Sequence, residues 1–199
     1  MSKTNFTAQT ETIDTIPDML NYYYYKEIFN PEEINDIILI CEKLDSEINE
    51  LDYSDISVDT KRRNSVSYLP INDETSWIYD KIYDLSVSAN QEMGWNFNVD
   101  GINQFMEYNT YTDNSGHYLW YSDIVNSNTN KLSVTLHLSL KEEYNGGDTE
   151  FNCGYEILRP KFSVGDVVIF PSYLLQRTTP ILSGVKRTIT LNVTGKTFR

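Results

Sequence analysis

Two shortages in the sequence each exclude a class of protein. Cys41 and Cys153 are the only cysteines among 199 residues, and no CxxC pair occurs. This excludes a disulfide framework and fits a reducing compartment. Lys and Arg total 16 against 29 Asp and Glu, which gives a formal net charge of −13. A general nucleic-acid-binding protein needs a basic surface, so we expect no nucleic-acid partner.

Long apolar runs are also missing. No run approaches the roughly 20 apolar residues that a membrane-spanning helix needs, so we expect no membrane partner. The N-terminus lacks the basic head and apolar block of a secretory signal, and it predicts a polar arm or a strand leading into the fold. Apolar residues make up 40% of the chain, which is enough for a core. The sequence therefore predicts a single domain over residues 1–199.

Two helices are predicted in the first half of the chain. The first begins after Asn30, which can cap it, with proline at the first helical position and Glu33 completing a capping-box pattern. The second is predicted over residues 73–94, where apolar residues recur at helical spacing and Gly94 is typical of a helix end. Between the two helices, the polar residues 52–65 predict a loop.

The second half of the chain has short segments rich in Val, Ile, Thr, Tyr and Phe, separated by Gly, Asn, Asp and Pro. The sequence NGGD at residues 145–148 predicts a hairpin or a tight turn. Strands are predicted near residues 95–110, 117–125, 131–140, 148–158, 162–170 and 186–194. Helices followed by antiparallel strands indicate an α+β fold, with helices laid against a sandwich or barrel.

One predicted strand resembles half of a metal site. Asp123 is preceded two positions earlier by Tyr121 in the stretch GHYLWYSD. Residues two apart on a strand share a face and lie about 6–7 Å apart, so such a pair can bind one metal with a third ligand from another strand. Two histidines and one carboxylate form the facial triad of non-haem iron. Here a tyrosine stands where a histidine would be expected.

Five motifs extend this likeness over roughly 85 residues. They are YTDNSGHYLWYSD, KLSVTLHLS, YNGGDTEF, VGDVVIFPSYLLQRTTPI and SGVKRTITLNVTG. In order and spacing they resemble the Fe(II)/2-oxoglutarate-dependent dioxygenases, in the prolyl-4-hydroxylase-like branch found in bacteriophages of marine bacteria. The resemblance implies a double-stranded β-helix, or jelly-roll, with helices buttressing one sheet. It places an arm and helices in residues 1–94 and the jelly-roll core in residues 95–199.

The resemblance also places the metal ligands. The family aspartate falls on Asp123, but the two histidines fall on Tyr121 and Gln176. A phenol loses its proton only near pH 10, and an amide binds Fe(II) poorly compared with imidazole. We therefore expect no functional iron site, although this oxygen-rich set could bind Mg²⁺ or Ca²⁺ loosely. The other interpretation is that Tyr121 and Gln176 fill the former metal cavity and hydrogen-bond with Asp123.

The positions that hold the co-substrate are retained. The basic residue that pairs with the far carboxylate of 2-oxoglutarate falls on Lys186, and Thr188 and Tyr111 match residues that help to hold it. Lys186 is either this carboxylate clamp or a solvated lysine at a strand end. His117 and His137, the two histidines of the chain, match no ligand position. We expect His137 to pack or face solvent, and His117 not to bind metal.

Three hypotheses about function follow. The first is a catalytically silent relative that serves as a binding or structural module, for which no cofactor is expected. The second is an active hydroxylase of a protein or small molecule that uses Fe(II) and 2-oxoglutarate at an altered metal site. The third is a sensor that binds a dicarboxylate through Lys186 without turnover. The resemblance to phage proteins further implies a protein partner or a viral assembly, and a place in the cytoplasm of a host cell or in a virion.

Overall fold

The computed structural model describes residues 21–51, 62–112, 119–125 and 127–197. Within these ranges lie two helices, α1 (Pro31–Cys41) and α2 (Ser76–Glu92), and 13 strands. The strands are β1 (Tyr23–Tyr25), β2 (Glu47–Leu51), β3 (Arg62–Leu69), β4 (Val99–Gly101), β5 (Met106–Tyr111), β6 (Asn130–His137), β7 (Tyr144–Gly146), β8 (Thr149–Asn152), β9 (Ile157–Leu158), β10 (Val167–Pro171), β11 (Leu175–Thr178), β12 (Ile181–Gly184) and β13 (Lys186–Gly195).

The strands form one large sheet and two small ones. The large sheet has the order β1-β10-β6-β13-β5-β3-β2, and β4 pairs with β13 beside this path. The small sheets have the orders β11-β8-β9 and β12-β7. The pairings among the described strands are antiparallel, and most of them join strands that are not consecutive in the chain, such as β6 with β13 and β8 with β11. This is the jelly-roll arrangement, so the predicted α+β double-stranded β-helix is confirmed.

The two faces of β13 show how the sheet separates a core from a cavity. Ile189, Leu191 and Val193 belong to the large apolar core, together with buried residues of α1 and α2. Lys186 and Thr188 alternate with them and face the interior of the jelly-roll, because successive side chains of a strand point to opposite faces. The helices therefore cover the outside of the large sheet, and the site lies on its inner face.

Both predicted helices are confirmed. Asn30 caps α1: its side chain accepts a hydrogen bond from the Glu33 backbone N–H at 3.0 Å, and the Glu33 carboxylate accepts one from the Asn30 backbone N–H at 2.9 Å. The second helix ends at Glu92, and Gly94 follows with φ +66°, a backbone conformation that glycine adopts without strain. Ile78, Ile82, Leu85 and Ala89 form the buried stripe of α2.

The strand predictions were wrong in two places. No strand is present over the described part of residues 117–125: Tyr121 forms an isolated bridge, and a 3-10 turn runs over Asp123–Val125. The segment 52–65, predicted as a loop, includes the start of β3 at Arg62, while residues 52–61 lie outside the described ranges. The NGGD sequence includes the end of β7 and the two residues that join it to β8, and it is not a hairpin, because β7 and β8 pair in different sheets.

The first half of the chain contributes strands as well as helices. β1, β2 and β3 precede residue 95, and all three belong to the same sheet as strands of the second half. Single-domain organisation over residues 1–199 stays a prediction. Neither described helix is long and apolar enough to cross a membrane.

Candidate functional site

The residues at the family's ligand positions line one cavity. This first cavity has a volume of about 870 Å³ and opens inside the jelly-roll. It brings together all six residues singled out from the sequence: Tyr111, Tyr121, Asp123, Gln176, Lys186 and Thr188. Their roles as ligands stay predictions, but their convergence from β5, β11, β13 and the segment around residue 121 makes this the candidate site.

Tyr121 and Gln176 are held together by their backbones. The Tyr121 N–H donates to the Gln176 carbonyl at 3.0 Å, and the Gln176 N–H donates to the Tyr121 carbonyl at 2.9 Å. Tyr121 thus forms an isolated antiparallel bridge with Gln176 of β11, which also pairs with β8. The two positions that would carry histidines are therefore neighbours, as a shared ligand site requires, although residue 121 does not lie on a strand of its own.

The Asp123 carboxylate is hydrogen-bonded to protein groups. Its Oδ2 atom accepts from the Gln176 amide Nε2 at 2.9 Å and from the Ser133 hydroxyl at 2.6 Å. Ser133 Oγ also lies 3.0 Å from Ser172 Oγ and 3.0 Å from Asn192 Oδ1. Charge-assisted hydrogen bonds of this kind stabilise an ionised carboxylate in a partly buried place. The expectation that Gln176 bonds to Asp123 is met, while the cavity beside them stays open.

These residues do not fit a two-histidine, one-carboxylate iron site. Among the described residues there is no group of three His, Cys, Asp or Glu placed to hold one metal. The Gln176 amide nitrogen donates to Asp123, so that atom is no metal ligand, and the amide oxygen is a poor ligand for Fe(II) compared with imidazole. His137 lies in β6 and outside the first cavity, and His117 lies outside the described residues.

Lys186 lies buried in the wall of the same cavity. Its ammonium donates to the Gly147 carbonyl at 2.7 Å, so it is not the solvated strand-end lysine that was one alternative. The pKa of Lys186 is lowered from its ordinary 10.5 to about 8, chiefly by burial, with the nearby Lys141 adding to the shift and Asp148 opposing it. Tyr111 pairs with Lys186 across β5 and β13, and buried Thr188 follows on the same face.

His137 is a packed histidine, as one of the two alternatives predicted. It is buried, and its ring stacks on Phe162 with the centroids 4.7 Å apart. Burial, with help from the charge of Lys186, lowers the pKa of His137 well below its ordinary value, so the ring is neutral at pH 7. Thr188 is its partner in β13, which puts His137 on the inner face of the sheet.

An ion-pair group beside the first cavity escaped the sequence analysis. Buried Glu150 of β8 accepts from Arg177 Nε and from Arg159 Nε, each at 2.6 Å. Burial alone would raise the pKa of Glu150, but the two arginine hydrogen bonds more than offset it and hold that pKa below its ordinary value. The Arg177 guanidinium also lies 4.5 Å from the centre of the Trp120 ring. This group joins β8, β11 and the segment that carries Tyr121.

Comparisons with known proteins give the same fold. No family model matches the chain. A PKHD-type hydroxylase of Acidovorax ebreus is 40% identical over 55 residues, which is 28% of this chain and 24% of the relative. A 2-oxoglutarate/Fe(II) oxygenase-family oxidoreductase from Burkholderia pseudomallei superimposes with a TM-score of 0.71 at 11% identity, covering 89% of this chain and 86% of the other.

The chain has the fold of the 2-oxoglutarate/Fe(II) oxygenases. A viral collagen prolyl hydroxylase from Paramecium bursaria Chlorella virus-1, solved as a 2-oxoglutarate complex, shares this oxygenase fold with a TM-score of 0.63 at 15% identity, over 88% of this chain and 97% of the other. The chain matches about a quarter of the length of curated relatives that are named PKHD-type hydroxylases. The marine-phage branch stays a prediction.

One prediction about cofactors was wrong. We expected none, but the proteins that the chain matches are hydroxylases, and its structural neighbours are oxygenases that use Fe(II) and 2-oxoglutarate. The expectation followed from the replaced histidines alone. The retained co-substrate positions Lys186, Thr188 and Tyr111 do not depend on those histidines, and they line one open cavity.

Proposed function

We propose that this chain is a catalytically silent relative of the 2-oxoglutarate oxygenases that binds a dicarboxylate of the 2-oxoglutarate class in the first cavity. One observation carries the proposal. The Gln176 amide donates to Asp123 at the position where the family holds its metal, while a cavity of about 870 Å³ stays open beside the buried ammonium of Lys186. The side chains at the metal position differ from those of the family, whereas the first cavity is still open.

The polar groups of the cavity suit a small dicarboxylate. Lys186 is the only cationic side chain among the described residues that line it. A carboxylate at Lys186 would gain a charge-assisted hydrogen bond, with the Thr188 hydroxyl and the Tyr111 phenol on the same face as further partners. Asp123 and Glu107 also line the cavity and would repel a second carboxylate that came close to them. Binding therefore depends on Lys186.

Calorimetric titration with 2-oxoglutarate tests the binding half of the proposal. We expect one site per chain, and we expect Lys186→Met to weaken binding by about tenfold or more, because it removes a charge-assisted hydrogen bond inside the protein. The matched control is Lys43→Met, which removes the same charge from an exposed position after α1. Equal affinities of the wild type and the Lys186 variant would contradict the proposal.

Release of succinate tests the proposal that the chain is catalytically silent. We expect no succinate above a control without protein when the chain is incubated with 2-oxoglutarate, O₂ and Fe(II), because the described residues offer Asp123 as the single ligand of the family set. The double variant Tyr121→His with Gln176→His restores both imidazoles on neighbouring backbone positions. With Fe(II) and 2-oxoglutarate under anaerobic conditions, we expect this variant, and not the wild type, to show the visible charge-transfer band of the chelate.

An active hydroxylase with an altered metal site is the second candidate. It is favoured by Asp123, which keeps the family's carboxylate in the same cavity as Lys186, Thr188 and Tyr111. Succinate release by the wild type that is lost in Asp123→Asn would establish this function in place of the silent one. The setting in which a silent module acts, with a protein partner or in a viral assembly, stays a prediction from the sequence.

A further inference from the structure

A second cavity lies behind Lys186, and most of its lining residues lie outside the first cavity. Its volume is about 330 Å³. Lys186 and Thr149 line both cavities, so they form part of the wall between them. The remaining lining residues include His137, Lys141, Lys161 and Tyr144.

The lining of the second cavity is positively charged in an acidic protein. Three lysines line it, Lys141, Lys161 and Lys186, against one carboxylate, Asp148. Lys161 Nζ lies 2.9 Å and Lys141 Nζ 3.4 Å from the same oxygen of Asp148, so one negative charge serves two ammonium groups. The chain as a whole has a net charge of −13. The local excess of positive charge is therefore opposite in sign to the surroundings and favours an anion.

His137 supplies a buried polar atom that lacks a partner. Its side chain is 4% exposed, and its Nε2 atom has no hydrogen-bond partner among the described residues. Buried polar side-chain atoms in folded proteins are nearly always hydrogen-bonded, so an orphan atom in a cavity wall indicates a missing partner. The neutral ring has one N–H and one lone pair, and Nε2 can donate when the proton is on that nitrogen.

Tyr144 is a second neutral donor in the same wall. Burial, together with the charges of Asp148 and Glu143, raises the pKa of its hydroxyl above the ordinary value, so the hydroxyl keeps its proton. Lys141 lies 4.4 Å and Lys186 5.9 Å from the centre of the Tyr144 ring. Cationic and neutral donors thus surround one small volume, and its described carboxylate is already paired.

We infer that the second cavity binds a small oxyanion of the phosphate or carboxylate class, with His137 Nε2–H donating to it and Lys141, Lys161 and Lys186 neutralising its charge. The inference is independent of dicarboxylate binding in the first cavity. Because Lys186 lines both cavities, an anion in either one competes for the same ammonium, and each should weaken the other.

Nitrogen NMR of the histidine rings tests the inference with inorganic phosphate as the probe. The chain has two histidines, so His137→Gln assigns the signals. We expect the Nε2 resonance of His137 to shift and saturate with phosphate, and sodium chloride of equal ionic strength to leave it in place. Lys161→Gln should weaken phosphate binding by about two- to fivefold, since it removes one charge from the wall and solvent partly screens the charge of this exposed lysine. The control Lys43→Gln should bind phosphate like the wild type.

Two outcomes would overturn the inference. One is a His137 resonance that does not move up to about 10 mM phosphate, which would mean that water fills the cavity. The other is an equal response to phosphate in Lys161→Gln and the wild type. Lys161 lines only the second cavity, so its variant should bind 2-oxoglutarate with wild-type affinity or slightly more weakly. Failure of phosphate binding and failure of dicarboxylate binding are therefore seen separately.

Discussion

At the scale of single residues, the site depends on Lys186, whose charge is buried against one backbone carbonyl. Its pKa is about 8 in the folded chain, against an ordinary value of 10.5. Between these two pH values the unfolded chain holds a proton that the folded chain has released, so stability rises with pH across this window. Below pH 8 the full cost of burying the ammonium is present.

Lys186→Met removes this dependence on pH. We expect the free energy of unfolding of the wild type to rise, relative to the variant, by up to about 3 kcal/mol as the pH goes from 8 to 10.5. Urea denaturation at both ends of the window measures the difference. Lys43→Met controls for the loss of an exposed positive charge and should follow the wild type. A difference that is constant with pH would show that the buried ammonium has an ordinary pKa.

The sequence predicted the residues that meet in the first cavity but missed the groups that hold them. Motif spacing was enough to bring Asp123 and Gln176 together, because both belong to a pattern shared with the oxygenases. Ser133 and Asn192 were missed, although each contacts the same network. They lie on different strands, and only the register of β6 against β13 places them side by side. A single sequence carries no sign of that register at small polar residues.

At the scale of elements, the turn between β7 and β8 positions Lys186, because the Gly147 carbonyl accepts its hydrogen bond. Gly146 has φ +75°, and a Cβ atom there would overlap the Pro180 carbonyl oxygen. Gly154 has φ +85°, but a Cβ atom there would meet nothing within 4 Å. A substitution by alanine at Gly154 therefore adds only the conformational cost of the left-handed backbone, whereas the same substitution at Gly146 adds a steric cost as well.

We expect Gly154→Ala to lower the free energy of unfolding by about 1 kcal/mol, the cost of placing alanine in a left-handed conformation. Gly146→Ala should cost at least about 2 kcal/mol more, because backbone must move to admit the methyl group. Urea denaturation of the two variants gives the comparison. Equal losses would mean that the turn relaxes freely, and the Gly147 carbonyl would then be a poor anchor for Lys186.

Elements with strong local signals were predictable, and short strands were not. The cap at Asn30 and the buried stripe of α2 define the helices without reference to the rest of the chain. The strand β3 begins with two arginines and pairs with β2 at the edge of the sheet, so its first residues have the composition of a loop. Strands of three or four residues, such as β7 and β11, are too short to show an alternating pattern.

At the scale of the whole molecule, the net charge of −13 opposes the approach of any dianion. Salt screens this long-range repulsion, whereas the attraction of a buried ammonium inside a cavity is screened much less. We therefore expect the association rate of 2-oxoglutarate, measured by stopped flow, to rise between about 10 and 150 mM salt. Sucrose in place of salt is the control for solution effects. A rate that falls with salt would indicate steering by a positive surface.

The α+β class was predictable because helices followed by turn-rich strand segments admit few architectures, and the jelly-roll was predictable from the resemblance to the oxygenases. The fold nevertheless shows only that the first cavity resembles the active-site cavity of the oxygenases. The chemistry inside depends on Tyr121 and Gln176, which change the metal position and leave the packing around it intact.

The position of β13 in the large sheet bears on how the protein is made. This strand lies between β6 and β5 and also pairs with β4, yet it follows every other described strand in the chain. During translation, β1, β10 and β6 would form one ribbon and β5, β3 and β2 another, and the edges of β6 and β5 that pair with β13 remain unpaired until β13 has been synthesised. A nascent chain stalled before residue 186 should therefore be more sensitive to proteases than a chain that includes β13, because the two halves of the large sheet are joined only through that strand.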